Sequence, residues 1–347
     1  MNKREVKAFI RNQHRLYKVV YLVAWLRSLL YRITNPNSER YDLVFVNTET
    51  GWILEGICKE IERFCTCKTF FQHSLYDIPK SKAYFFSHYS SFVKAIHRSP
   101  WILNGHNVVF YTHHRYIGFS EEEVIYALNK ANKLVVMNSK TSQQLERKGV
   151  SGDKLLTIIG GADKSVFSRR EKGKSEYPCI GFCLRFSDRP IYTERKRYNT
   201  IIELIKCIDF ATILLIGRDW EKYKYFNDIQ KLSHFEYLNI PYSEYPEAYR
   251  RMDVFVSVSK LEGGPIPLLE AMMCDVFPVV SKTGFAPDVI QDGVNGFLFD
   301  VDSSVDEIVE KIKLALSMTC DVRKTVEDFS WENFSQKIQR AVADNSA

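Results

Sequence analysis

A chain of 347 residues, 45% hydrophobic and 26% charged, is long enough for two domains of ordinary size, each with its own core. Its eight cysteines are scattered. Neither the close spacing at Cys65 and Cys67 nor that at Cys179 and Cys183 has the second pair or nearby histidine of a structural zinc site, so buried thiols in a reducing cytoplasm are expected instead. The net charge of +6 is concentrated: residues 1–40 hold nine Lys and Arg against two Glu. The remaining chain is therefore one charge negative, which speaks against nucleic acid as a partner.

The basic N-terminal arm, residues 1–40, comes first. Arg4, Lys7, Arg11, Arg15 and Lys18 recur every three or four residues and share one helical face; Val6, Phe9, Ile10, Leu16, Tyr17 and Val20 share the other. Residues 19–26 are apolar all round, but such a stretch falls far short of the roughly 20 residues that span a bilayer. No small-residue cleavage site follows that would complete a secretory signal. Two readings fit. One is an amphipathic helix lying on an anionic membrane surface through residues 2–32, attracted by about 1 kcal/mol per basic residue. The other is a helix packed on the body with its charges in water.

Asn35-Pro36-Asn37-Ser38 is a break. Residues 41–47 read as a buried strand, and Thr48-Glu49-Thr50-Gly51-Trp52 as the loop into a helix over 53–64. Strand-like runs at 69–71, 83–87 and 107–112 alternate with helical stretches, which argues for a parallel sheet. The last of these runs into Thr112-His113-His114-Arg115. Ligands bind at strand carboxyl ends in open α/β sheets, so a histidine here is either a hydrogen-bonding group for a sugar hydroxyl or a satisfied structural residue. A strand over 134–139, a helix to Lys148, a strand over 154–159 and Gly160-Gly161-Ala162-Asp163 complete a first domain, residues 41–167. The charged stretch 168–178 reads as a linker. The second domain, 179–325, opens with a strand over 179–184, then Arg185 and a loop reaching Lys196. A helix over 198–207, strands over 212–217 and 235–240, and a helix over 242–252 follow. Residues 326–347 carry a last helix.

Residues 253–300 organise the whole. Val254-Phe255-Val256-Ser257-Val258 suits a buried parallel strand. It leads through Glu262-Gly263-Gly264-Pro265 into a helix over 266–273, whose Pro267 is tolerated in the first turn. A strand, a glycine turn and a helix start make an anion site, through unpaired amides and the helix dipole. Two carboxylates frame the turn, Glu262 and, with seven residues between them, Glu270. Pyrophosphate alone would be repelled by them. A ligand with phosphates in the middle and hydroxyls at both ends would be gripped, since carboxylates accept strongly from O–H groups. A nucleotide diphosphate sugar has that layout; spacing alone leaves an ordinary strand-turn-helix unit equally open.

Ser259, Glu262, Gly263, Glu270, Ala271, Pro278-Val279-Val280, Gly284, Pro287-Asp288-Val289-Ile290, Asp292-Gly293 and Asn295-Gly296 follow one another as in the donor-binding half of GT-B glycosyltransferases. The stretch resembles glycosyltransferase family 4, with its Glu-x7-Glu motif. The resemblance extends over residues 41–345 and is densest over 179–300. It implies an α/β protein of GT-B architecture, two Rossmann-like domains facing a cleft, preceded by the basic helical arm. The terminal helix, within 326–347, often crosses back to the first domain in such enzymes.

By the same resemblance Glu262 contacts the donor sugar and Glu270 the ribose. Gly263, Gly264, Pro265 and Ile266 cradle the donor, while Arg185 and Lys196 hold the diphosphate. A histidine near the donor sugar is His113, with His114 next in line, and Gly51 and Trp52 lie on the acceptor side. The implied reaction transfers a sugar from a nucleotide diphosphate sugar to an acceptor hydroxyl with retention, by same-face displacement without a protein nucleophile. The setting it implies is cell-surface polysaccharide or lipid-linked glycan synthesis at the inner face of the cell membrane. No cofactor and no metal are expected; Asp300-Val301-Asp302 has D-x-D spacing but falls at the far end of the domain. A non-catalytic nucleotide-sugar-binding or scaffold subunit is the alternative, and a phosphate-releasing or epimerase enzyme a third. The sequence departs from the family at Leu184, Arg197 and Val276-Phe277, where glycines are usual, at Asp288 for Glu, and in a longer loop before Lys196.

Overall fold

The computed structural model describes residues 41–51, 53–112, 118–169 and 177–343, together with Leu22, Val23, Leu26, Leu29, Leu30 and Ile33. The described residues divide into two compact units: those within 1–136, 142–158 and 335–347 belong to the first, and those within 137–141 and 159–334 to the second. His113, His114 and Trp52 lie outside the described residues, as does most of the arm. The six arm positions that are described are helical and exposed. They follow one another by steps of one or three residues, which puts them on one face.

In the first unit six parallel strands run in the order β2-β1-β3-β4-β5-β6. They are β1 (Tyr41–Val46), β2 (Thr69–Gln72), β3 (Ser81–Phe86), β4 (His106–Tyr111), β5 (Lys133–Val136) and β6 (Leu155–Thr157). The continuous apolar runs of β1, β3, β4 and β5 arise because a parallel sheet is covered on both faces; Val44, Phe45, Phe86, Val109 and Val135 are fully shielded. The helix Ile53–Arg63 turns Leu54, Ile57, Cys58 and Ile61 inward. Strand order reverses between β1 and β3, and the loops there are pinned. The buried Asn47 accepts from Ser87 Oγ at 2.8 Å and donates to the Glu49 carbonyl at 3.0 Å. Gly51, at φ 75°, donates its amide to Glu55. From the terminal helix Trp331–Ala343, Ser335 and Gln339 donate to the carbonyls of Ile61 and Phe64 at 2.7 and 3.0 Å.

The second unit is also a six-stranded parallel sheet, in the order β12-β11-β10-β7-β8-β9. Its strands are β7 (Cys179–Cys183), β8 (Thr212–Ile216), β9 (Phe235–Leu238), β10 (Val254–Ser257), β11 (Phe277–Ser281) and β12 (Phe297–Phe299). The chain winds outward from β7 in one direction and from β10 in the other, so β7 and β10 flank the switch point where ligands bind in doubly wound sheets. The loops leaving these two strands carry Arg185 and Glu262.

Residues 159–169, expected to end the first domain and begin the linker, belong to the second unit. Arg323 fastens them, donating to the carbonyls of Lys164 and Phe167 at 2.9 and 2.6 Å and to that of Met273 at 2.5 Å. The expected loop reaching Lys196 contains instead a helix, Pro190–Lys196; Pro190 opens it because proline's fixed φ suits a first helical position. Residues 242–252 split into a 3-10 turn, Tyr242–Glu244, and a helix, Tyr245–Arg250.

Candidate functional site

Two acids lie on the loop after β10 and the helix that follows it, and one of them meets a lysine. Glu262 lies in that loop with its side chain 10% exposed, and its carboxylate is ion-paired to Lys196 Nζ, with Arg195 Nη2 at 3.8 Å. Lys196 and Arg195 end the helix Pro190–Lys196, where cations also favour the negative helix terminus. The next residue, Arg197, has φ 51° and ψ 49°, the left-handed conformation. A non-glycine residue is strained in that region by about 1–2 kcal/mol, so the departure from the resembled glycine carries a local backbone cost here. Arg197 is held by a bond from Nη2 to the Ser303 carbonyl at 3.1 Å.

Glu270 sits on the helix Ile266–Met273, which is apolar all round and buried except at Pro267. Its side chain accepts two phenol hydroxyls, from Tyr242 on Oε1 and from Tyr249 on Oε2 at 2.9 Å. Burial pushes its carboxyl up to about 7, against the pull of both hydrogen bonds. Burial likewise pushes the neighbouring Cys183 thiol up to about 12, with the Glu270 charge adding to it.

Arg185 does not join Glu262. Its Nε donates to Asp219 at 2.7 Å, and Asp219 also accepts from Lys222 at 2.6 Å. The Tyr198 hydroxyl donates to the Arg185 carbonyl and accepts from the Ser187 amide, both at 3.1 Å, which fixes the loop after β7.

The backbone cradle is narrower than a helix start suggests. Pro265 and Pro267 have no N–H, and the amides of Ile266 and Leu268 are bonded to the carbonyls of Gly264 and Pro265 at 2.9 Å. Those two amides are thus taken up within the turn itself. Gly264 is bare for a packing reason, because a Cβ there would meet Met137 Sδ at 2.3 Å and the Phe285 ring at 3.0 Å. The loop is braced further by Asn138 Nδ2 on the Gly263 carbonyl at 2.8 Å and by Thr283 Oγ1, which accepts from the Glu262 amide at 3.0 Å. Asp288, shorter than the family's glutamate, accepts from both the amide and the hydroxyl of Ser139.

Among the described residues no group of three or more His, Cys, Asp or Glu is placed to hold a metal ion. Asp300 and Asp302, the D-x-D pair, are bound to Lys282 and Lys260 at 3.0 Å. The sequence left Arg195 open between a phosphate contact and a solvated charge, noted Tyr249 only by its place in the helix before β10, and gave no role to Asp219 or Tyr242. A signal existed for the two tyrosines: Tyr242, Tyr245 and Tyr249 are spaced by three and four, one side of a turn-and-helix.

Residues 191–330 match the family model Glycosyl transferases group 1. The fold is that of the GT-B glycosyltransferases, two parallel six-stranded Rossmann-like units. It is shared with Anabaena HepE in complex with UDP, at 14% identity and TM-score 0.69 over 87% of this chain and 99% of that one. The lipopolysaccharide outer core galactosyltransferase WaaB in its apo form is similar too, at 15% identity and TM-score 0.64 over 88% and 99%. Among curated proteins, an uncharacterized glycosyltransferase of Methanocaldococcus jannaschii is 24% identical over 225 residues, 62% of this chain and 60% of that protein.

Proposed function

We propose that this protein is a retaining glycosyltransferase that moves a hexose from a nucleoside diphosphate sugar to an acceptor hydroxyl without a metal. One observation carries the reading. At the switch point of the second unit an ion-paired Glu262–Lys196 couple and a buried, phenol-bonded Glu270 share one strand-turn-helix. A sugar with a diphosphate and a ribose supplies what each group needs: hydroxyls for the carboxylates and negative charge for the lysine. HepE, of the same fold, is solved with UDP and with UDP-glucose.

In this reading Lys196 and the amides of Gly263 and Gly264 stabilise the departing diphosphate, the electrostatic effect that usually contributes most in such sites. Arg185 joins them by leaving Asp219, which its half-exposed position allows. Glu262 orients the sugar, and the leaving phosphate takes the acceptor's proton on the same face. His113 supports the sugar, with His114 next, and Gly51 and Trp52 serve the acceptor. The chemistry belongs to cell-surface polysaccharide or lipid-linked glycan synthesis on the inner membrane face, with residues 2–32 on anionic lipid. The exposed stripe Leu22, Val23, Leu26, Leu29, Leu30 and Ile33 supports that attachment.

The test is sugar transfer from a panel of nucleotide sugars. Glu262→Ala is expected to lower transfer at least a hundredfold; transfer at the wild-type rate would remove Glu262 from the donor site. A truncated protein beginning at Ser38 is expected to lose binding to anionic liposomes.

A further inference from the structure

The two phenols on Glu270 are not equivalent. Tyr249 is fully buried, with its ring 5.8 Å from that of Phe167 and 6.3 Å from that of Phe255. It cannot leave without opening the core, so its bond to Oε2 is a permanent support. Tyr242 is 58% exposed, sits in a short 3-10 turn, and reaches the other oxygen of a carboxylate that is itself 2% exposed. Its ring lies tilted against those of Phe167 and Tyr245 at 6.1 and 5.3 Å, and its outward position lets it give up Oε1 toward solvent while Tyr249 stays in the core. A buried carboxylate that loses a hydrogen bond needs another at once. A ribose hydroxyl is chemically the same kind of donor as a phenol.

We propose that Tyr242 is an exchangeable stand-in for the donor: its hydroxyl holds Glu270 in the empty site and is displaced by a ribose hydroxyl when a nucleoside diphosphate binds. This rests on the donor reading above and adds a positioning residue to it. Tyr242 thereby sets how much of the ribose bond appears as affinity, since binding exchanges one O–H donor for another. Ribonucleotides meet this exchange; a nucleotide without ribose hydroxyls cannot complete it.

The experiment is calorimetric titration of wild type and Tyr242→Phe with UDP, with ADP, GDP and CDP in parallel, and with the 2′,3′-dideoxy form of the tightest of them. With the competing hydroxyl gone, Tyr242→Phe is expected to bind that ribonucleotide three- to tenfold more tightly and its dideoxy form unchanged. The phenol also favours the ionised form of Glu270. Its removal is therefore expected to move upward the pH below which affinity falls, a shift that a merely structural role would not produce. Tyr249→Phe, read beside it, is expected to show no ribose-dependent gain. Equal or weaker ribonucleotide binding by Tyr242→Phe, or an equal gain for the dideoxy form, overturns the exchange while leaving the donor site standing. Failure of wild type to bind any of the four diphosphates overturns the donor reading, and the exchange falls with it.

Discussion

The replacement Glu270→Gln tests the central electrostatic feature of the second unit. A carboxyl moved from its ordinary 4.5 to about 7 is about 3 kcal/mol less favourable when ionised in the fold than in the unfolded chain, at roughly 1.4 kcal/mol per pH unit. The sign follows from linkage. Between 4.5 and 7 the folded state holds the proton that the unfolded state releases, so wild-type stability falls as pH rises through that window and the penalty is complete above it. Glutamine cannot ionise, yet offers a carbonyl to one phenol and an amide to the oxygen of the other. Glu270→Gln is therefore expected to match wild type near pH 5 and to exceed it by about 3 kcal/mol at pH 8.5, on the order of 5–10 °C for a unit of this size. Nucleoside diphosphate affinity should fall in the same variant, because an amide is a weaker acceptor for ribose than a carboxylate. Thermal unfolding at the two pH values, with titration of UDP alongside, measures both effects. If both proteins lose stability equally from pH 5 to 8.5, Glu270 does not titrate as described.

Two other substitutions probe the frame around the site. Gly264→Ala places a methyl group against Met137 and Phe285 and is expected to destabilise by about 1–3 kcal/mol while weakening donor binding, since the same loop carries Glu262; denaturant midpoints and titration report the two. Arg323→Ala strips three backbone carbonyls of a charged donor. It should destabilise by about 2–4 kcal/mol and make the chain near residue 169 easier to cleave in limited proteolysis.

The strands were the most readable part of this sequence. Residues 254–258 and 134–136 lie in parallel sheets covered on both faces, and such strands advertise themselves as unbroken apolar runs. The pair Glu262 and Glu270 was legible because their spacing and the glycine turn between them are local. What stayed hidden depended on long-range closure. Nothing near Lys196 in the chain announces a partner 66 residues away, and the phenols that occupy Glu270 come from a separate turn and helix. Arg185 was placed at its loop by pattern, but its engagement with Asp219, 34 residues on and with a left-handed backbone at φ 69°, is a long-range pairing that no spacing rule reveals. The glycine at 264 read as room for a phosphate; no spacing rule showed that a thioether and a phenyl ring also crowd the side where its Cβ would stand. At 197 the missing glycine left a visible departure whose meaning only the dihedral angles supplied.

The mutual engagement of Lys196 and Glu262 has a consequence for selectivity. Separating a largely shielded ion pair leaves each charge without its nearest partner, at a cost that grows with burial. Inorganic phosphate would draw the ammonium away and leave the acid to the more distant Arg195; a free monosaccharide would draw on the acid without matching the ammonium's charge. Only a molecule presenting anion and hydroxyls together, at the correct separation, satisfies both in a single event. On the proposed donor reading, the resting contact behaves as a logical conjunction, discouraging the abundant fragments of a nucleotide sugar from occupying the place of the whole.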